Sequence, residues 1–124
     1  ILIYTDADPD GSAIFCLLLN FFARYWPELF DQGRIFRAMT PLMVAKKGKD
    51  TKYFYIQEEI DQWKASDKWE VEYKKGLASL IDAEYSEIIK EPILVKVSKD
   101  DVYKHSLNDW FGTDSSPRKI RLML

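Results

Sequence analysis

The chain has 124 residues and a formal net charge of −2, long enough for one domain with a real core but without the positive surplus of a general polyanion binder. A hydrophobic fraction of 47% with 15% aromatics excludes a disordered chain. No apolar run approaches a membrane span and no signal peptide precedes the first strand, so the expected setting is the cytoplasm. A single cysteine, Cys16, excludes an internal disulfide and reads as a small buried thiol. Residue 1 falls inside a strand-like run with no initiator methionine, which reads as a piece of something longer.

Ile1 to Thr5 is apolar on both faces and β-branched, predicting a short buried strand. An acidic loop follows, and Ser12 can cap the helix that begins there and runs to about Trp26, ahead of Pro27. Its apolar residues cover most of the circumference, so a broad packed face is expected. Arg24-Tyr25 at its end reads as packing, and the four tryptophans Trp26, Trp63, Trp69 and Trp110 as core.

Ile35 to Ala38 and Leu42 to Lys46 read as strands broken by Thr40-Pro41. The charged turn KKGKDTK then joins the second of these to TKYFYI as a hairpin. QEEIDQWKAS reads as a helix with Ile60, Trp63 and Lys64 on one side, and WEVEYK as a strand with Trp69, Val71 and Tyr73 on one face. IDAEYSEIIK is a helix with Asp82 as its candidate cap, ILVKV a strand, and DDVYKHSLNDWF a final helix ended by Gly112, with His105 on its surface. Strands alternating with helices predict an α/β layer architecture with a largely parallel sheet.

The chemistry is concentrated in TDADPDGSAI. Asp6, Asp8 and Asp10 crowd three charges into five residues, which folding avoids unless a cation sits among them. An EF-hand is excluded, because its twelfth position would be Leu17 and the preceding residues read as strand. A P-loop is excluded, because Gly48-Lys49 is followed by Asp50 and has no glycine five residues earlier. An aspartate-nucleophile phosphotransferase stays open, although Asp10 stands where Thr or Val is expected. Carboxylates at the carboxyl end of a strand suit magnesium or manganese and metal-assisted phosphoryl chemistry. The plainer reading is a solvated acidic turn facing a helix dipole.

TDADPDGSAI resembles the D-x-D-x-D-G motif of the Toprim domain in type IIA DNA topoisomerases. Further segments are similar in the same order: WPEL (Trp26 to Leu29), Thr40-Pro41-Leu42, FYIQEEIDQWK, YKKGLAS (Tyr73 to Ser79) and FGTDSSPRK (Phe111 to Lys119). Within the family, WPELFDQGRI followed by TP is most similar to the T-even-type phage branch.

The resemblance implies a Rossmann-like Toprim fold, truncated at its N-terminal side and spanning residues 1–124. It implies Asp6 and Asp8 as magnesium ligands, with manganese able to substitute and Asp10 as an additional or water-mediated ligand. Lys75 would lie near the DNA backbone, and Arg118 and Lys119, which match the basic pair at the domain's end, would also bind DNA. Partners would be double-stranded DNA and other topoisomerase subunits, with ATP used by a domain outside the chain. The general acid/base glutamate, in an E-G-D-S-A segment, and the nucleophilic tyrosine would also lie outside it, so the chain alone should bind magnesium weakly and cleave no DNA.

This sequence departs from the pattern at Ala13, where many members have histidine, and at Lys74, which replaces an aromatic. Ala78 replaces a glycine and would cost about 1 kcal/mol if that position required positive φ. Alternatives are another magnesium-dependent Toprim nuclease or primase, and a non-catalytic assembly subunit of the topoisomerase.

Overall fold

A computed structural model of the chain describes residues 1–63 and 68–124. The first strand, β1 (Leu2–Tyr4), buries Ile3 and Thr5 on one side, as a period of two requires. The helix α1 (Pro9–Tyr25) follows, then the short α2 (Glu28–Asp31) and β2 (Phe36–Ala38), which pairs parallel to β1. Ile3, Phe15, Phe30 and Ile35 form the core of this β-α-β unit, each worth about 1.5–3 kcal/mol when fully buried. Leu18, Leu19, Phe22 and Ala23 of α1 complete it.

A second sheet is built on the hairpin of β3 (Met43–Lys47) and β4 (Asp50–Phe54), whose turn uses Gly48 at φ 60°. The helix α3 (Gln57–Gln62) ends at Trp63, and β5 (Glu70–Tyr73) returns antiparallel to the other side of β3. Met43, Ala45 and Phe54 form its core, with Ile60, Trp63 and Trp69 packed against it. Lys64, expected beside Ile60, lies outside the described residues. The helix α4 (Asp82–Lys90) leads to β6 (Leu94–Lys96), which joins β2 antiparallel. Finally come α5 (Tyr103–Phe111) and α6 (Ser116–Met123).

The architecture is mixed α/β, but the expected largely parallel sheet is met only at β1–β2; the other three pairings are antiparallel. Alternating elements announce layers without fixing direction; beyond the expected β3–β4 hairpin, β5 and β6 also enter antiparallel to β3 and β2. The helix ending at Gly112 is followed by a further one, α6, held to α5 where Arg121 Nε donates to Asp109 Oδ2 at 2.9 Å. Asp82 lies in the first turn of α4, and the capping acceptor there is Glu84, which takes the Ile81 N–H at 3.1 Å.

An apolar circumference does not say which face of α1 is covered. Cys16 is exposed, and Leu17, Phe21 and Tyr25 form an exposed run on that side. Trp26 and Trp110 are also exposed, so of the four tryptophans only Trp63 and Trp69 pack on a core cluster. His105 lies on the surface of α5, as expected. Among the described residues no helix is long and apolar enough to cross a membrane.

Candidate functional site

The acidic loop joins the carboxyl end of β1 to the start of α1, and each aspartate in it has a different task. Asp8, not Ser12, is the N-cap: its Oδ1 accepts the Gly11 N–H at 2.7 Å, with Pro9 behind it at the first helical position. Ser12 instead accepts from Arg37 Nη2 at 3.2 Å. Asp10 is exposed in the first turn, where the helix dipole favours a negative charge. Asp6 turns across the chain, its Oδ1 accepting the Leu77 N–H at 2.6 Å.

Two glycines let this happen. A Cβ on Gly11 would collide with the Asp6 carbonyl, and a Cβ on Gly76 would sit 2.7 Å from Asp6 Cγ and Oδ1. Gly76 has extended backbone, so it is close approach that excludes a side chain there. The loop is anchored from below by Thr40, whose hydroxyl donates to the Thr5 carbonyl at 3.0 Å inside the core. The TDADPDG and KGL segments therefore form one assembly, with the Thr-Pro step bracing it.

Lys74 and Lys75 point to opposite fates, as adjacent strand-end residues do. Lys75 is exposed and directly precedes Gly76, at the edge Asp6 occupies. Lys74 is buried, with its Nζ 3.0 Å from Glu84 Oε2, 2.8 Å from Glu72 Oε2 and 3.1 Å from the Ser79 carbonyl. Lys46 Nζ lies 2.8 Å from Glu84 Oε1 and neutralises that oxygen. Burial alone would raise the Glu84 pKa, but the two lysines and the Ile81 N–H hold it below its ordinary value. Burial would likewise lower Lys74, and Glu72 and Glu84 outweigh it, so Lys74 stays charged over a wider range than usual. This buried network ties β3, β5 and α4 together and fixes the stem of the Lys75–Leu77 loop. Ala78 lies in the short 3-10 turn Leu77–Ser79 without positive φ, so the feared strain is not incurred.

The basic pair at the end of the chain is elsewhere. Arg118 Nη1 donates to the carbonyls of Gly112 at 3.0 Å and Asp114 at 3.1 Å, closing the turn between α5 and α6. The neighbouring Phe111 carbonyl is 3.5 Å from Arg24 Nη2, near the far end of α1. From Asp8 to Arg24 the helix rises about 24 Å, so Arg118 does not join the acidic loop. Lys119 is exposed on α6.

The donor set decides what cation these residues could hold. Among the described residues no group of three or more His, Cys, Asp or Glu side chains is arranged to hold a metal ion. An all-protein cage is therefore not formed. Asp6 and Asp8 each commit Oδ1 to a backbone N–H, and among the described residues the second oxygen of each accepts no hydrogen bond. Free carboxylate oxygens of this kind are hard donors, the type that magnesium takes while keeping several waters and completing its shell with substrate phosphate.

No family model matches the chain. It is 40% identical over 121 residues to the DNA topoisomerase small subunit of Enterobacteria phage T4, covering 96% of this chain and 75% of that subunit. The chain belongs to the type IIA DNA topoisomerases. One of the DNA gyrase subunits of Mycoplasmoides gallisepticum is 33% identical over 127 residues, covering 96% of this chain and 20% of the gyrase polypeptide. Among solved structures, the Plasmodium falciparum topoisomerase II DNA-binding, cleavage and re-ligation domain superposes with a TM-score of 0.77 at 28% identity. That match covers 98% of this chain and 17% of the other. The chain thus spans three quarters of the phage subunit and about a fifth of the gyrase polypeptide.

Three residues around this loop depend on partners that no local pattern marks. Lys74 registered only as a departure from an aromatic, and Glu84 only as a helix residue. The available signal was the glutamate at the third position of a helix, but nothing local showed that two lysines would reach it. Arg37 likewise reads as one charged residue in a short strand.

Proposed function

We propose that this chain supplies the metal-proximal part of a DNA cleavage and re-ligation centre, acting on double-stranded DNA with other topoisomerase subunits in the cytoplasm. The observation that carries this is the meeting of Asp6 with Gly76 and Leu77, which joins the two segments of most distinctive chemistry across 71 residues. The parallel β1–β2 pair with α1 is, on this reading, the Rossmann-like crossover of a Toprim core.

Asp6 and Asp8 would hold magnesium, or manganese in its place, with Asp10 reaching it through water. When bound, the ion supplies positive charge against the charge developing on the scissile phosphate and the 3′ oxygen. The chain's own residues set the geometry. The Leu77 N–H fixes the rotamer of Asp6, the Gly11 N–H fixes that of Asp8, and Gly76 leaves room for the carboxylate. Lys75 would meet the phosphate backbone beside the loop, and Lys119, with Arg118 positioning its helix, would form a second contact a helix length away. The nucleophilic tyrosine, the general acid/base glutamate and ATP use are assigned to parts outside the chain.

The test is Asp6→Asn in the assembled topoisomerase. The amide keeps an acceptor for Leu77 and loses the ligand charge, so cleavage should disappear while folding persists. Undiminished cleavage by the variant would favour the assembly-subunit alternative, in which the turn merely caps α1, a role Asp8 already fills.

A further inference from the structure

Beside the acidic loop lies a separate cavity of about 220 Å³, lined by Ala7, Ser12, Arg37, Thr40, Leu42 and Tyr55 among others. It is several times the ~30 Å³ a water occupies in the liquid. Among the described residues the formal charge on its walls is a single guanidinium, with no carboxylate lining it. Arg37 is half-buried on β2, with its guanidinium carbon 4.9 Å from the centre of the Phe15 ring. One of its N–H groups reaches Ser12 Oγ at 3.2 Å, and among the described residues no carboxylate lies within ion-pair distance of it.

A guanidinium that is partly desolvated, stacked on an aromatic ring and without a carboxylate is an unusual arrangement. Folding ordinarily pairs such a charge or leaves it in water. The ring and Ser12 hold the planar fork in place, so its remaining N–H groups are preorganised rather than mobile. The Ser12, Thr40 and Tyr55 hydroxyls stand around the same space. Burial, followed by the Glu59 and Glu87 charges, keeps the Tyr55 phenol protonated, so it adds no negative charge.

We propose that this cavity is a phosphate-binding pocket, and that Arg37 receives a backbone phosphate of the DNA strand lying across the acidic loop. The inference rests on the DNA reading above and deepens it. Ala7, between Asp6 and Asp8, lines the cavity, so a phosphate there neighbours the one the aspartates would address through their cation. The pocket fixes the strand's register by holding an adjacent phosphate, and reads no base.

The experiment measures binding of a short duplex to the assembled topoisomerase over a range of salt, with the native chain, Arg37→Gln, Arg37→Lys and Asp6→Asn. Arg37→Gln should weaken binding several-fold and lower the slope of log K against log salt by about 0.9, the loss of one phosphate contact. Arg37→Lys should keep the slope. An unchanged slope in Arg37→Gln, with cleavage abolished in Asp6→Asn, would overturn the pocket and leave the topoisomerase reading standing. Unaltered cleavage in Asp6→Asn together with unaltered binding in Arg37→Gln would overturn both. Should Arg37→Gln fail to fold, the native full chain is titrated with inorganic phosphate while the Arg37 Nε–H resonance is followed. A saturable shift is expected, and its absence counts against the pocket. A shift with free phosphate but none with a dinucleotide carrying an internal phosphodiester would overturn the assignment to DNA.

Discussion

Leu77 and Asp6 are joined by a 2.6 Å hydrogen bond from a backbone amide to a carboxylate, with Gly76 packed flat against the same carboxylate. Gly76→Ala should therefore separate stability from activity. The methyl group meets the far end of a short side chain, which can swing away, so the melting temperature should fall by the equivalent of about 1 kcal/mol. The Asp6 carboxylate would leave its place, and cleavage by the assembled enzyme should fall at least tenfold. Gly11→Ala meets backbone instead and should cost more, about 2–3 kcal/mol, visible in chemical denaturation.

On the proposed reading Asp8 is both the helix cap and a metal ligand, and two substitutions part these roles. Asp8→Ala loses both the helix cap and the ligand, and should cost about 1 kcal/mol of stability. Asp8→Ser restores an oxygen for the Gly11 N–H and should recover most of that stability. Magnesium-dependent cleavage should stay low in both. Recovery of cleavage in Asp8→Ser would show that the cap, rather than the charge, is what the reaction needs.

The Lys46–Glu84–Lys74 network gives stability a defined pH window. Glu84 is held below its ordinary value of 4.5, so its contribution is complete above that pH and is lost as pH falls through the lower folded value. Lys74 is held above 10.5, so its contribution is complete below that pH and is lost as pH rises through the higher folded value. Glu84→Gln should lower stability on the plateau by about 3 kcal/mol, because two lysines lose a shared partner and one of them is buried. Its acid limb should also be shallower than that of the native chain in denaturation curves measured below pH 5.

Much of the site was legible because its chemistry is local. The acidic turn, its place after a strand, the Thr-Pro step and the Lys-Gly-Leu turn can all be read from a few consecutive residues. What could not be read depends on partners distant in sequence. The sequence reading places no helix after Gly112, and α6 is held there by Arg121 on Asp109 and by Arg118 on the Gly112 and Asp114 carbonyls. The choice between Asp8 and Ser12 as cap is marked locally, since Pro9 favours the first helical position and so puts the cap at Asp8. The exposure of Cys16 follows the small or polar stripe of Ala13, Cys16, Asn20 and Arg24, whereas that of Tyr25 carries no mark, because it continues the apolar Leu17–Phe21 row.

Arg118 and Lys119 should behave differently despite their adjacency. Arg118→Ala removes hydrogen bonds to two carbonyls and should cost about 1–2 kcal/mol in thermal unfolding, with little change in the salt dependence of DNA binding. Lys119→Gln should leave stability within about 0.5 kcal/mol and, if α6 meets DNA, lower the salt slope by about one contact. Equal loss of slope in the two variants would show that the Arg118 guanidinium also reaches phosphate.

The separation of 71 residues between Asp6 and Leu77 has a kinetic side. Closing a loop of that length earns no reward until β3, β5 and the buried ion pairs have brought Lys75–Leu77 within reach, so the pairing belongs to the late steps of folding. The acidic turn is synthesised before its partner and waits unpaired until residue 77 is made. A partly folded chain would carry three aspartates without the amide that aims one of them. Competence for metal and DNA would therefore appear last, making the bond between the sixth residue and the seventy-seventh an internal check that folding is finished.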